Sequence, residues 1–126
     1  MRVVDTSAWI EWTSDTQLGQ RLAPEIPKKP EWLVPTVIQY ELVRWARRVF
    51  GDEAADTLLA HSMGCVVAPL DTQIAVRAVE CANLHGLAMA DAIIYATALE
   101  AGADLLTCDA HFADLPNVVY LAKAAP

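Results

Sequence analysis

The sequence predicts an α/β protein: a single domain over residues 1–126, built on a five-stranded, mainly parallel sheet with helices on both faces. Two observations predict it. Short apolar runs alternate with longer segments of helical periodicity, and strands separated by helices pair in parallel. Apolar residues make up 55 % of the 126, which is enough for one buried core.

The elements follow in order. Arg2 to Val4 is a first short strand. Ser7 can cap a helix through Ala8, Trp9, Ile10 and Trp12. Gln17 to Ala23 adds a helical turn. The stretch from Pro24 to Pro30 carries three prolines and reads as a surface loop. Trp32 to Val34 is a second strand, ended by Pro35. Thr36 opens a helix through Phe50, with Gly51 beyond it as a stop signal. Asp52 caps a further helix to about Ser62, and Gly64 follows. Cys65 to Ala68 is a third strand. Asp71 caps a helix to about Leu84, stopped by Gly86, and Ala90 to Ala101 forms another, stopped by Gly102. Leu105 to Thr107 and Val118 to Tyr120 complete the sheet.

Several function classes are excluded. No apolar run approaches the roughly 20 residues of a membrane span. Asp5 interrupts any signal-peptide hydrophobic region, so a cytoplasmic location is expected. Cys65, Cys81 and Cys108 form no CxxC pair, which suits free thiols in a reducing compartment. Neither a Gly-x-Ser-x-Gly elbow nor a Gly-rich phosphate loop is present. The formal net charge is −7, so the overall field repels nucleic acid. RNA binding would need a local basic patch, a metal that offsets the acids, or a basic partner.

In parallel sheets, ligands bind beyond the carboxyl ends of the strands. Asp5 directly follows Val3-Val4, and Asp109 holds the equivalent place after Leu105-Leu106-Thr107. Asp91 lies in the first turn of its helix among Met89, Ala90, Ala92 and Ile93. Glu41 sits two turns into the helix from Thr36, beside Leu42 and Val43. Each has a plainer alternative: Asp5 as a helix cap, Asp91 as a partner of the helix dipole, Asp109 as a turn residue, and Glu41 as the partner of Arg44 or Arg48. Together, four carboxylates would repel unless a cation neutralised them. Hard oxygen ligands select Mg²⁺, with Mn²⁺ able to substitute. Such a cation can activate water against a phosphodiester.

These residues resemble the PIN-domain family. Val3-Val4-Asp5-Thr6-Ser7 is similar to its opening motif, and Glu41 on a helix after a proline is similar to its second. Met89-Ala90-Asp91-Ala92 is similar to the third. The fourth, Leu105 to Phe112 (LLTCDAHF), is the most specific. Order and spacing agree over essentially the whole chain, and the small single-domain size resembles VapC-type toxins of prokaryotic toxin–antitoxin pairs. The resemblance implies that Asp5, Asp91 and Asp109 hold the metal and that Glu41 completes the catalytic site. Thr107 would support it by hydrogen bonding to an acid or water. It also implies cleavage of RNA, often tRNA or rRNA, a homodimer, and a cognate antitoxin that docks across the active-site groove. Asp114 is an additional acid after the fourth motif, readable as a loop residue before Leu115-Pro116.

Arg44, Arg47 and Arg48 follow Glu41 on the same helix. Arg44 and Arg48 are either an RNA phosphate-gripping edge or a solvated face favoured by the helix dipole. Trp9, Trp12, Trp32 and Trp45 read mainly as core, or as a groove for an antitoxin helix where exposed. His61, His85 and His111 show no pairing and read as structural or surface residues. Two other functions compete. A non-catalytic PIN-like regulatory or RNA-binding module would tolerate loss of an acid. A receiver-like or phosphatase domain would need a second acid near Asp5 and a lysine after a late strand, whereas Lys123 lies beyond the last one.

Overall fold

The computed structural model describes residues 1–123; the last three residues of the expected 1–126 domain lie outside it. Among the described residues, five strands form one sheet: β1 (Arg2–Val4), β2 (Trp32–Pro35), β3 (Val66–Ala68), β4 (Asp104–Thr107) and β5 (Val118–Tyr120). Their order is β3-β2-β1-β4-β5, and all four pairings are parallel. Six helices connect them: α1 (Thr6–Thr13), α2 (Gln17–Leu22), α3 (Thr36–Val49), α4 (Asp52–Met63), α5 (Thr72–His85) and α6 (Met89–Glu100).

The order places the layers. From β1 the chain steps to β2 and then β3 in one direction, then crosses back to β4. Right-handed crossovers put α1 to α4 on one face and α5 to α6 on the other. The reversal occurs between β1 and β4, where Val3 is in register with Leu105 and Val4 with Leu106. A crevice at the carboxyl ends of those strands is the ordinary place for a ligand in such a sheet.

Strand residues β-branched or bulky on both sides suit a sheet covered on both faces. Val3, Val4, Val34, Leu105 and Leu106 are fully buried. Trp9 stacks on Trp32 with ring centroids 4.5 Å apart, and both are buried. Trp12 and Trp45 are half-buried. His61 packs edge-on against Trp9 and Trp32, and His85 lies edge-on to Tyr95, so both serve the packing. No helix among the described residues is long and apolar enough to cross a membrane.

Local details depart from sequence expectation. The Pro24–Pro30 loop is bracketed by two short 3₁₀ turns, Ala23–Glu25 and Lys29–Glu31, each with proline in its first turn. Proline's fixed φ and missing N–H suit that position. Pro35 is the last residue of β2 rather than its terminator. Gly51, at φ 97°, is the N-cap of α4, so Asp52 enters the helix instead of capping it. Asp71 caps α5 as its sequence position suggests, accepting from the Ile74 N–H at 2.8 Å.

Candidate active site

Asp5 is where a strand becomes a helix. Its N–H donates to the Leu106 carbonyl at 2.8 Å, extending the β1–β4 ladder by one bond. Its carbonyl accepts from Ala8 and Trp9 and so starts α1. The backbone thereby occupies the N-cap position, while the side chain caps nothing. Instead, Oδ2 accepts from the Ser7 hydroxyl at 2.7 Å and the Thr107 hydroxyl at 2.8 Å. Asp5 is 4 % exposed. Burial lifts its carboxyl to a pKa of about 6, against the pull of the two hydroxyls and with a further push from Asp91 and Glu41.

Glu41 projects from α3. Its Oε1 accepts from the Thr6 hydroxyl at 2.6 Å. It makes no ion pair with Arg44 or Arg48 among the described residues, contrary to the plainer sequence alternative. Burial raises its pKa, Thr6 opposes the rise, and Asp91 and Asp109 add to it. Asp91, in the first turn of α6, is raised by burial and then by Asp109, with His111 pulling the other way. The four acids therefore share one region and repel one another.

Asp109 lies two residues past β4. Its Oδ1 accepts from the His111 N–H at 2.9 Å and so caps the short turn Ala110–Phe112. Its own N–H donates to Thr107 Oγ1 at 3.0 Å. Thr107 is fully buried and thus ties Asp5 to the Asp109 backbone. Ser7 does the same at the next position, accepting from the Cys108 N–H at 3.1 Å. Asp114 is exposed and enters none of these bonds.

A regularity runs through the set. Asp5 Oδ2, Glu41 Oε1, Asp91 Oδ2 and Asp109 Oδ1 each have a side-chain or backbone partner. Among the described residues, the other oxygen of each acid has none. One oxygen is anchored and one is left for something that is not protein. Carboxylate oxygens of this kind fit a hard divalent cation. Asp91, Asp109 and His111 each offer an atom within 4.8 Å of the other two.

Two residues at the site differ from their sequence reading, and a third, Thr6, had none. Ser7 is not a helix cap, because its hydroxyl is spent on Asp5. His111 is not unpaired: Nδ1 lies 3.3 Å from both Asp91 Oδ2 and Asp109 Oδ1. Its position two residues after a strand-end acid was the available signal. Thr6 carries no local signal, since its partner Glu41 is 35 residues away.

Beside Glu41 a cleft of about 250 Å³ is lined by Tyr40, Arg44, Trp45 and Arg48. A larger one of about 680 Å³ shares Tyr40, Arg44 and Arg48 with it and adds Gln39, Val43 and Arg47. On the Asp109 side, Ser7, Tyr120 and Lys123 line a third, of about 390 Å³.

The family model for the PIN domain matches residues 2–118. A toxin–antitoxin complex from Klebsiella pneumoniae contains a chain of similar fold, at 23 % identity and TM-score 0.80, covering 94 % of this chain and 96 % of that one. VapC20 from Mycobacterium tuberculosis, described as a Sarcin-Ricin loop cleaving toxin, is similar at 20 % identity and TM-score 0.76, covering 94 % and 97 %. FitAcB from Neisseria gonorrhoeae is similar at 18 % identity and TM-score 0.70, covering 96 % of each chain. At these identities the likeness concerns the fold. No match was found among curated proteins.

Proposed function

We propose, from the premise that this chain belongs to the PIN domain family, that it is a Mg²⁺-dependent endoribonuclease, the toxin of a type II toxin–antitoxin pair. The observation that carries the reading is the anchored-and-free pattern of the four carboxylates. The free oxygens are not sealed in the protein, so they are open to a ligand from solvent, and acids that repel one another in one region favour a cation there. Asp5, Asp91 and Asp109 would hold the cation. When bound, the cation supplies an activated water and offsets charge on the phosphodiester. Mn²⁺ has the same ligand preference and substitutes.

The remaining work belongs to the chain's own side chains. Thr107 and Ser7 fix the rotamer of Asp5, so its free oxygen is aimed before substrate arrives. Thr6 does the same for Glu41, whose Oε2 would take a proton from the attacking water. Arg44 and Arg48 line the cleft next to Glu41 and grip RNA phosphates, which answers the problem of net charge.

Solved structures of similar fold include a toxin–antitoxin complex, which supports a cognate antitoxin docking across the active-site groove. An apolar groove of about 480 Å³, with exposed Leu70, Val79 and Met89 at α5 and α6, supports a homodimer.

The test is cleavage of total cellular RNA with and without Mg²⁺, in the wild type and in Asp5→Ala and Asp91→Asn. Each variant is expected to lose at least about a hundredfold in rate, since a bound cation contributes several kcal/mol to such reactions. If either variant cuts as fast as the wild type, the site assignment fails. A non-catalytic RNA-binding module would show no cleavage by the wild type at all.

A further inference from the structure

Of the three histidines, His61 and His85 are packed against aromatic rings. His111 stands instead at the acids, with its side chain 72 % exposed. Its place is fixed by the turn that carries it. The His111 N–H donates to Asp109 Oδ1 at 2.9 Å. The next residue, Phe112, is fully buried, with its ring centroid 6.3 Å from that of Tyr95. Tyr95 lies one turn beyond Asp91 on α6. The turn with His111 is therefore packed on the helix with Asp91. Nδ1 of the ring comes to 3.3 Å from both Asp91 Oδ2 and Asp109 Oδ1. Neighbouring ligands on an octahedral cation, each at about 2.1 Å from it, stand about 3 Å apart. The imidazole nitrogen thus already has nearly ligand spacing from each carboxylate.

The other side chains that hold the acids do so through oxygen. Ser7, Thr107 and Thr6 each use a hydroxyl. His111 alone among them offers a nitrogen, whose lone pair a cation can take when the ring's proton sits on Nε2. The two donor types select different ions. Carboxylate and water suit Mg²⁺, whereas imidazole suits first-row transition cations. We infer that His111 Nδ1 is a ligand of the cation held by Asp91 and Asp109, and that it makes this site bind a first-row transition cation more tightly than Mg²⁺. The inference rests on the reading of the acids as the nuclease's cation site, and adds the residue that tells one cation from another. Mg²⁺ takes the carboxylates and water and gains nothing from the ring. Mn²⁺ gains some, and Co²⁺, further along the affinity order, gains more.

The full chain, freed of metal by chelation, is titrated calorimetrically with Mg²⁺, Mn²⁺ and Co²⁺. The comparison is with His111→Gln, which keeps an N–H donor for the acids but has no imidazole lone pair. Wild-type affinity is expected to rise from Mg²⁺ through Mn²⁺ to Co²⁺. His111→Gln should weaken Co²⁺ and Mn²⁺ by about tenfold or more, and Mg²⁺ by less than about twofold. Pulsed EPR on the Mn²⁺-loaded wild type should show modulation from a directly bound nitrogen, absent in His111→Gln. A wild type without that modulation overturns the inference. So does an equal loss for all three ions, which is what a histidine that only orients the acids would give. Cleavage of total cellular RNA by the wild type in Mg²⁺ is read separately. Nitrogen ligation without cleavage sinks the nuclease reading alone, while cleavage without nitrogen ligation sinks this inference alone.

Discussion

Thr107, at the end of β4, donates its hydroxyl to Asp5 Oδ2, one residue past β1, across 2.8 Å. The same oxygen of Thr107 accepts from the Asp109 N–H. One buried hydroxyl thus sets the spacing of two acids on adjacent strands. Thr107→Val keeps the shape and removes the bond. It should cost about 1–2 kcal/mol of stability, from the unsatisfied partners left behind. It should also lower cleavage or metal affinity by about ten- to hundredfold, as loss of groups that orient metal ligands does. Thermal melting and metal titration separate the two effects, and an unchanged metal affinity would show that Asp5 needs no such support.

Asp5 gives the pH dependence. Its pKa is about 6 in the folded chain against 3.8 for an ordinary aspartate. A raised folded pKa means that the folded state binds the extra proton. The stabilising contribution is complete below about pH 4 and is lost as pH rises to about 6. Without metal at pH 7, the buried ionised carboxylate therefore costs up to about 3 kcal/mol. Asp5→Asn should raise the melting temperature of the metal-free protein at pH 7, with the gain vanishing near pH 4. For the unsubstituted protein, Mg²⁺ affinity should climb through pH 6 as Asp5 ionises. A flat difference in melting temperature between pH 4 and 7 would contradict the account.

At the opposite, amino-terminal end of the central strands, Arg2 bonds both oxygens of Asp104, at 2.7 and 2.9 Å, and the Glu25 carbonyl at 2.9 Å. The guanidinium holds the Asp104 carboxyl below its ordinary range. A lowered folded pKa contributes stability above about pH 4 that disappears as pH falls further. Because the pair is partly exposed, Arg2→Ala should cost only about 1 kcal/mol at pH 7, less in high salt, and nothing in catalysis. Denaturant melts at two pH values check the first part and RNA cleavage the second.

Gly19 is the place where α2 meets the backbone of α1. A Cβ there would fall 2.8 Å from the Glu11 carbonyl carbon and 3.1 Å from the Trp12 Cα. Those atoms are backbone and cannot step aside. Gly19→Ala, ordinarily mild or favourable in a helix, should instead destabilise by more than about 2 kcal/mol. Chemical denaturation decides it, and a variant as stable as the wild type would mean that α1 and α2 can slide apart freely.

RNA binding should itself depend on metal. Of the sixteen acids, four surround the place that the proposed function gives to the phosphodiester. Chelation is expected to weaken binding to a single-stranded RNA several-fold, because uncompensated carboxylates repel phosphate. Anisotropy with and without chelator measures this, and equal affinity in both would refute it.

The sequence made the strands, the crossovers and the four acids legible because those signals are local. An aspartate directly after Val3-Val4 or Leu105-Leu106-Thr107 is at a strand end whatever the partners are. The bonds that aim the acids were not legible. Thr6 meets Glu41, and Ser7 meets the Cys108 N–H, only once α1, α3 and β4 are docked. His111 reads as a lone surface histidine until the turn after Asp109 swings it over Asp91. Strand order was also hidden, since three-residue strands carry too little pattern to fix their neighbours.

The central position of β1 has a consequence for folding. β1 is flanked in the finished sheet by β2 and by β4, and Asp5 waits for a hydroxyl 102 residues further on. A chain interrupted anywhere before Thr107 lacks Asp109 and the bond that aims Asp5. Such contacts between distant parts of a chain are also the slowest to form. A fragment of this kind would keep the Asp5 carboxylate but lose the hydroxyl that fixes its rotamer, so the acid would be present without being aimed.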